Sequence, residues 1–303
     1  MRFRIGIILL CVLATAARGE EAKPHPASGR PDLSFAASAV PVFQFDAGLG
    51  GGSEFRATRY LFQFEMSKRI DGTRDLGISL LYDFEDYDFR GTTPFAGTAP
   101  WNEVHRIGLS IPYAHGLPGG WRLVAAPSAE FSREAGAGWR NALAYGAVLS
   151  AGKRVGETVT LGIGAGVFYR LEEVNAFPYL VVDWRISERL RLANPLRAGP
   201  TGPAGLELVC AVSDGWDLGF GGAYRSMRFR LDDEGVSPGG IGEVRAIPAW
   251  LRLSHRAGPL TADAYAGVVL GGRLRVEDER GENPVSAGYD PSPFAALRIQ
   301  ARF

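Results

Sequence analysis

From residue 33 to the end of the chain, apolar side chains recur at every second position. Val159, Leu161, Ile163, Ala165, Val167 and Tyr169 alternate with Thr160, Gly162, Gly164, Gly166 and Phe168. Leu260, Ala262, Ala264, Ala266, Val268 and Leu270 alternate with Thr261, Asp263, Tyr265, Gly267 and Val269. Successive side chains of a strand point to opposite faces, so each run has one apolar face and one small or polar face. No sustained helical stripe appears, and no apolar stretch beyond residue 32 reaches the ~18 residues of a membrane helix. The pattern predicts strands near 33–47, 54–69, 75–90, 101–114, 120–132, 139–153, 156–171, 175–186, 188–197, 203–212, 214–231, 242–255, 259–275 and 293–303. That makes fourteen. Omitting 188–197 and 203–212, where Pro200 and Pro203 weaken the pattern, leaves twelve.

The connections sort by length. With a periplasmic C-terminus, the periplasmic turns are 70–74, 115–119, 154–155, 187, 213 and 256–258, all short. The long segments 91–100, 232–241 and 276–292 all fall on the other side, the asymmetry expected of a membrane barrel. Ahead of the strands, Arg2 and Arg4, the apolar run 5–16 and Ala17-Arg18-Gly19 read as a cleaved signal peptide over 1–19. A flexible periplasmic lead-in follows over 20–32, then a barrel over 33–303. Cleavage turns a neutral chain into one of net charge −3 and leaves a single cysteine, Cys210, so no intrachain disulfide forms.

Alternation alone suits a soluble sandwich or a lipocalin-like barrel as well as a membrane barrel. Strand length separates them: many runs are longer than the ~5–6 residues usual in soluble sheets. Aromatic residues also gather at both ends of the runs. Tyr87, Phe89, Trp101, Phe131, Trp139, Tyr169 and Phe177 make one tier beside the long loops; Phe64, Tyr113, Trp121, Trp216 and Phe303 make another beside the short turns. Two tiers of amphipathic rings fit the two membrane–water boundaries. The face opposite the aliphatic residues carries charges of both signs. They include Arg59, Glu65, Asp83, Arg106, Arg122, Arg140, Glu207, Asp217, Asp263 and Arg298, together with Glu85, Glu130, Arg225 and Arg273. An unpaired backbone amide in lipid costs several kcal/mol, so such a sheet must close on itself. The expectation is an all-β, closed, antiparallel up-and-down transmembrane barrel.

The last strand, Leu297-Arg298-Ile299-Gln300-Ala301-Arg302-Phe303, resembles the C-terminal strand of the bacterial outer-membrane β-barrel class, with Leu297, Ile299 and Phe303 on one face. The mature chain is similar to uncharacterised families of that class. The resemblance implies an outer-membrane location, lipid and lipopolysaccharide as surroundings, and Leu297, Ile299 and Phe303 as the signal read by the barrel-assembly machinery. Ala301 stands where the class commonly has an aromatic residue.

The inward charges then become the functional lead. They would line a passive passage for small polar solutes, with Gly162, Gly164, Gly166, Gly219 and Gly221 leaving room beside them. The alternative has the same charges paired across the bore, giving a closed scaffold. A second alternative is a lipid hydrolase, but its candidates are few. His255 follows Ser254, and strand neighbours face opposite ways; His105 shares parity with Ile107 and turns towards lipid. No catalytic residue, cofactor or metal is therefore assigned, since paired histidines and CxxC are both missing. Thirty-three basic and 33 acidic residues argue against a nucleic-acid partner. Gly48 to Gly52 reads as a flexible hairpin, and Asp232-Asp233-Glu234 and Glu277-Asp278-Glu279 as solvated acidic loop tips.

Overall fold

The structure is a computed structural model that describes residues 32–139, 141–195 and 204–303. The expected signal peptide and nearly all of the lead-in lie outside the described residues. Seventeen strand segments follow one another: β1 (Leu33–Gly50), β2 (Ser53–Arg69), β3 (Arg74–Arg90), β4 (Glu103–Ser110), β5 (Tyr113–Leu117), β6 (Trp121–Glu134) and β7 (Leu143–Val155). Then come β8 (Val159–Arg170), β9 (Glu173–Arg185), β10 (Leu190–Ala193), β11 (Gly205–Ser213), β12 (Trp216–Ala223) and β13 (Arg225–Arg230). The last are β14 (Ile241–Ala257), β15 (Leu260–Glu277), β16 (Val285–Tyr289) and β17 (Ser292–Arg302). β4 and β5 pair with the same two neighbours and form one stave, interrupted at Pro112, which has no N–H to give. β12 with β13, along β14, and β16 with β17, along β15, are likewise single staves. The result is a closed antiparallel barrel of fourteen staves.

Closure comes from β1, which pairs with β2 on one side and β17 on the other, as in Ala37 opposite Ala301 and Phe43 opposite Ala295. Twelve staves are excluded because β10, though four residues long, bridges β9 and β11, with Leu192 opposite both Trp184 and Leu208. The β1–β2 turn runs through Gly50, Gly51 and Gly52, all at positive φ, a conformation that side chains disfavour.

Outside, the barrel is apolar. Phe62, Leu80, Ile107, Leu149, Val167 and Leu251 are exposed, and Ile163 is 71% exposed. Inside, the half nearest the long loops (the loop end) holds a packed core that includes Leu49, Phe55, Tyr87, Phe95, Trp101, Met227, Phe229 and Tyr289. The expected aromatic tier at this end is therefore split. Phe131, Trp139 and Tyr169 stay on or near the outer surface, whereas Tyr87, Phe89, Trp101 and Phe177 turn inward. Parity explains the correction for Tyr87 and Phe89, which share the face of Asp83 and Glu85. Trp101 precedes β4 and folds under the 91–102 segment. At the other end (the turn end), Phe64, Trp121, Trp216 and Phe303 are exposed as expected.

A second correction concerns Arg273. A bulge in β15, centred on Gly271 at φ +56°, shifts the register between Arg245/Arg273 and Ile247/Leu270. Beyond it Gly272 and Leu274 take the inward places and Arg273 is exposed. A bulge at Phe45-Asp46 in β1 reverses parity the same way and sends Ala47 and Leu49 into the core.

Candidate functional site

Three groups of charged residues occupy the bore. Near the turn end, Arg252 donates to both oxygens of Glu207 at 2.8 Å and to Asp263 at 3.0 Å; Arg298 reaches the other oxygen of Asp263 at 2.5 Å. Asp263 is completely buried. The indole N–H of Trp250 donates to Glu207 at 2.9 Å. Gly219 makes this possible, since a Cβ there would stand 2.6 Å from a Glu207 oxygen.

Midway along the bore, Arg59 donates to Asp83 at 2.7 and 2.8 Å and lies 3.3 Å from Glu85. Arg106 donates to Asp83 at 2.6 Å, Arg225 pairs with Glu85, and the Tyr87 hydroxyl donates to Glu85 at 2.5 Å. Every carboxylate in these two groups has a guanidinium, which offsets the cost of taking it out of water.

The third group pins an inserted hairpin. The loop-end portions of β13 and β14 are buried on both faces: Met227, Arg228, Phe229 and Arg230 in succession, and Ile241 through Val244 opposite them. A strand of the barrel wall has one face outside, so here the β13–β14 hairpin bends inward while β14 stays paired with β15. The free edge of β13 reaches β6 through a parallel bridge between Arg230 and Arg133. Arg228 donates to Glu277 at 2.8 Å and to the Leu171 carbonyl at 3.3 Å, and pairs with Glu173 at 2.8 Å. Arg230 donates to the carbonyls of Asn141, Gly239 and Glu279. Glu134 accepts from the Asn102 and Asp232 backbone amides, tying the hairpin loop to the 91–102 segment. Glu277 is only 2% exposed, so this expected acidic tip is an inward anchor instead. The hairpin plugs the loop end.

Of the residues expected to line the bore, Arg59, Asp83, Arg106, Glu207, Asp263 and Arg298 therefore meet in two networks. Glu65 is half-buried and accepts from Gln63 at 2.8 Å. Arg122 is exposed at the turn end and donates to Asp75 at 2.6 Å. Asp217 is half-buried and 3.8 Å from exposed Arg256. Arg140 lies outside the described residues. Leu297, Ile299 and Phe303 all face outward.

Beside the middle network lies a cavity of about 480 Å³. Its lining carries five guanidiniums, from Arg59, Arg106, Arg170, Arg225 and Arg245, against one carboxylate, Glu130. Ser110, Ser128, Ser226 and Asn175 add polar groups; Leu61, Phe177 and Met227 add apolar ones. The β8 glycines do not leave the open room expected of them. The Phe177 ring covers Gly166 and the Tyr179 ring covers Gly164, so a Cβ at either would have to displace the ring. Arg170 and Asn175 escaped selection, although Arg170 shares parity with inward Phe168 and was legible on that ground.

No family model and no curated protein matches the chain. Among solved structures, the COG4313 outer membrane channel from Pseudomonas putida F1 is similar, with a TM-score of 0.50 and 11% identity over 93% of this chain and 100% of that one. The toluene transporter TodX from P. putida gives 0.46 and 8% over 91% of each chain. The translocator domain of the autotransporter NalP from Neisseria meningitidis gives 0.40 and 13% over 91% and 90%. At such identities the likeness is one of fold, and it rests on the COG4313 channel. The chain has the fold of a bacterial outer-membrane β-barrel.

On this barrel the two histidines weighed for hydrolysis sit on the outer face. The Tyr82 hydroxyl is 3.1 Å from His105 Nδ1, and His255 stacks on Trp216 with centroids 4.3 Å apart. Ser254 is buried on the opposite face of its strand from His255. Cys210 is exposed on the apolar surface. Among the described residues no group of three metal-ligating side chains gathers.

Proposed function

We propose that this protein is an outer-membrane channel for small polar solutes, shut at its outer mouth by its own β13–β14 hairpin. The observation that carries the reading is the arginine-lined cavity of about 480 Å³ inside the staves, with the buried loop-end hairpin of β13 and β14 on its long-loop side. Side chains alone fill the interior of a solid barrel; here a hairpin joined to the wall along β15 also fills the loop end. On the β13 side its anchors are hydrogen bonds made by the Arg228, Arg230 and Glu134 side chains, which water can replace, while the β14–β15 ladder keeps it hinged to the wall. The resting state is closed, and passage is passive once the mouth opens.

A closed scaffold is the second reading, favoured by the pairing of the two deeper charge networks. Uptake of labelled glycine and serine into proteoliposomes separates the two. Wild-type protein is expected to admit them slowly and Arg228→Ala/Arg230→Ala at least about tenfold faster. Equal, background-level uptake by both, with folding confirmed by heat-modifiable gel migration, selects the scaffold.

A further inference from the structure

The mid-bore cavity has a chemistry that the pairing scheme leaves incomplete. Arg59, Arg106, Arg225 and Arg245 each reach a carboxylate: Asp83, Asp83, Glu85 and Glu243 in turn. Arg170 reaches none among the described residues; its guanidinium lies 4.8 Å over the Phe168 ring. The Nε atoms of Arg170 and Arg106 and the amide nitrogen of Asn175 are all buried, and none has a hydrogen-bond partner among the described residues. All three residues line the same cavity. Buried N–H donors are normally satisfied, and of the five guanidiniums at the cavity only that of half-buried Arg170 lacks an ion-pair partner among the described residues. Three such donors at one cavity describe the missing partner: an acceptor-only, negatively charged group. Leu61, Phe177 and Met227 in the same wall describe its body as apolar.

We propose that this cavity binds a small organic oxyanion with an apolar body, a carboxylate or a phosphate monoester, through Arg170, Arg106 and Asn175. A planar carboxylate takes two N–H groups of a guanidinium side by side. The cavity volume lies within the ~300–1,000 Å³ typical of small-molecule sites. The proposal deepens the channel reading by naming the class of solute, and it rests on that reading only for passage; binding stands by itself.

Calorimetric titration of the refolded full-length barrel in zwitterionic detergent tests it, with benzoate and phenyl phosphate as the two oxyanion probes. Benzyl alcohol and benzylamine are the neutral and cationic controls. At least one oxyanion is expected to bind saturably, and neither control. Preference between the two probes assigns the headgroup. Arg170→Gln is expected to weaken that binding about tenfold or more. Gly108→Leu is expected to do the same by filling space; a Cβ at Gly108 meets Leu81 and Glu130 at ordinary distances, so this variant keeps every guanidinium. No binding of either oxyanion, equal binding of benzyl alcohol, or binding unchanged in both folded variants overturns the proposal. Proteoliposome uptake reports separately: absent uptake with intact benzoate binding defeats the channel, and uptake without binding defeats only this site.

Discussion

Phe229 and Trp101 meet edge to face inside the barrel, with ring centroids 5.1 Å apart and planes at 85°. Phe229 belongs to the inserted hairpin and Trp101 to the segment entering β4, so the contact joins two elements across the loop end of the bore. Neither ring has appreciable exposure. Trp101 also packs edge-on against Tyr87 at 5.8 Å and Phe89 at 5.9 Å. The hairpin is thus seated on an aromatic platform built from β3 and the 91–102 loop.

Truncating Phe229 removes the ring at the centre of that seat. Phe→Ala in a packed core costs about 3–5 kcal/mol. The cost is expected to fall on the hairpin and not on the staves. Hydrogen exchange of the amides in 225–246 is therefore expected to accelerate in Phe229→Ala, while β2 and β3 amides stay protected.

Asp263 receives Arg252 and Arg298 with no solvent access of its own. Replacing Arg298 by methionine leaves part of that charge without its partner, and breaking a buried pair costs about 3–5 kcal/mol. Guanidinium unfolding of the refolded barrel is expected to show a loss of this order for Arg298→Met. A second change, Asp263→Leu, is expected to restore part of it, because the orphaned carboxylate is then gone.

The outer face makes a complementary demand. Ile163, midway along β8, is the place to test it. Arginine near the bilayer midplane costs about 2–4 kcal/mol on the lipid face of a barrel. Folding of Ile163→Arg into phospholipid vesicles is expected to be weakened by that amount. An unchanged folding equilibrium contradicts the outward assignment of the apolar face.

The β2–β3 turn titrates abnormally. Asp71 accepts from the Arg74 side chain at 2.6 Å, the Thr73 amide and hydroxyl at 2.8 Å each, and the Arg74 amide at 2.9 Å. These donors, the Arg74 side chain first, hold its carboxyl well below the usual carboxylate range. A folded-state value below the unfolded one means the contribution is complete above the ordinary pKa near ~4 and is lost only as pH falls through the depressed value. NMR titration of the Asp71 carboxyl is expected to show it still ionised at about pH 3.

The barrel was legible because its signal has period two and repeats in almost every stave. Val159 to Tyr169 alone shows which face is greasy, and the short turns fix antiparallel order. Strand counting reached even β10 and β11, where pairing across the closed sheet overrides a weak local pattern. The interior was legible only in part. Arg59, Asp83 and Arg298 follow parity, but Arg273 does not, because a single extra residue at Gly271 turns every later side chain over. The plug was hidden for a different reason. Arg225 to Arg230 keeps a strand-like alternation, Met227 and Phe229 against Arg228 and Arg230, whether it lies in the wall or inside. Only the burial of both faces tells the two apart, and that is a property of what surrounds the segment. The same holds for Glu277, which reads as loop charge until Arg228 and Arg275 are found beside it.

Single-channel recording in planar bilayers, comparing wild type with the Arg228→Ala/Phe229→Ala double variant, tests the plugged bore most directly. Wild-type protein is expected to be closed for most of the record, with rare brief openings, and the variant to show frequent, discrete, long-lived ones. A wild-type barrel that conducts steadily at the level of the variant, or a folded variant that stays silent, contradicts the account.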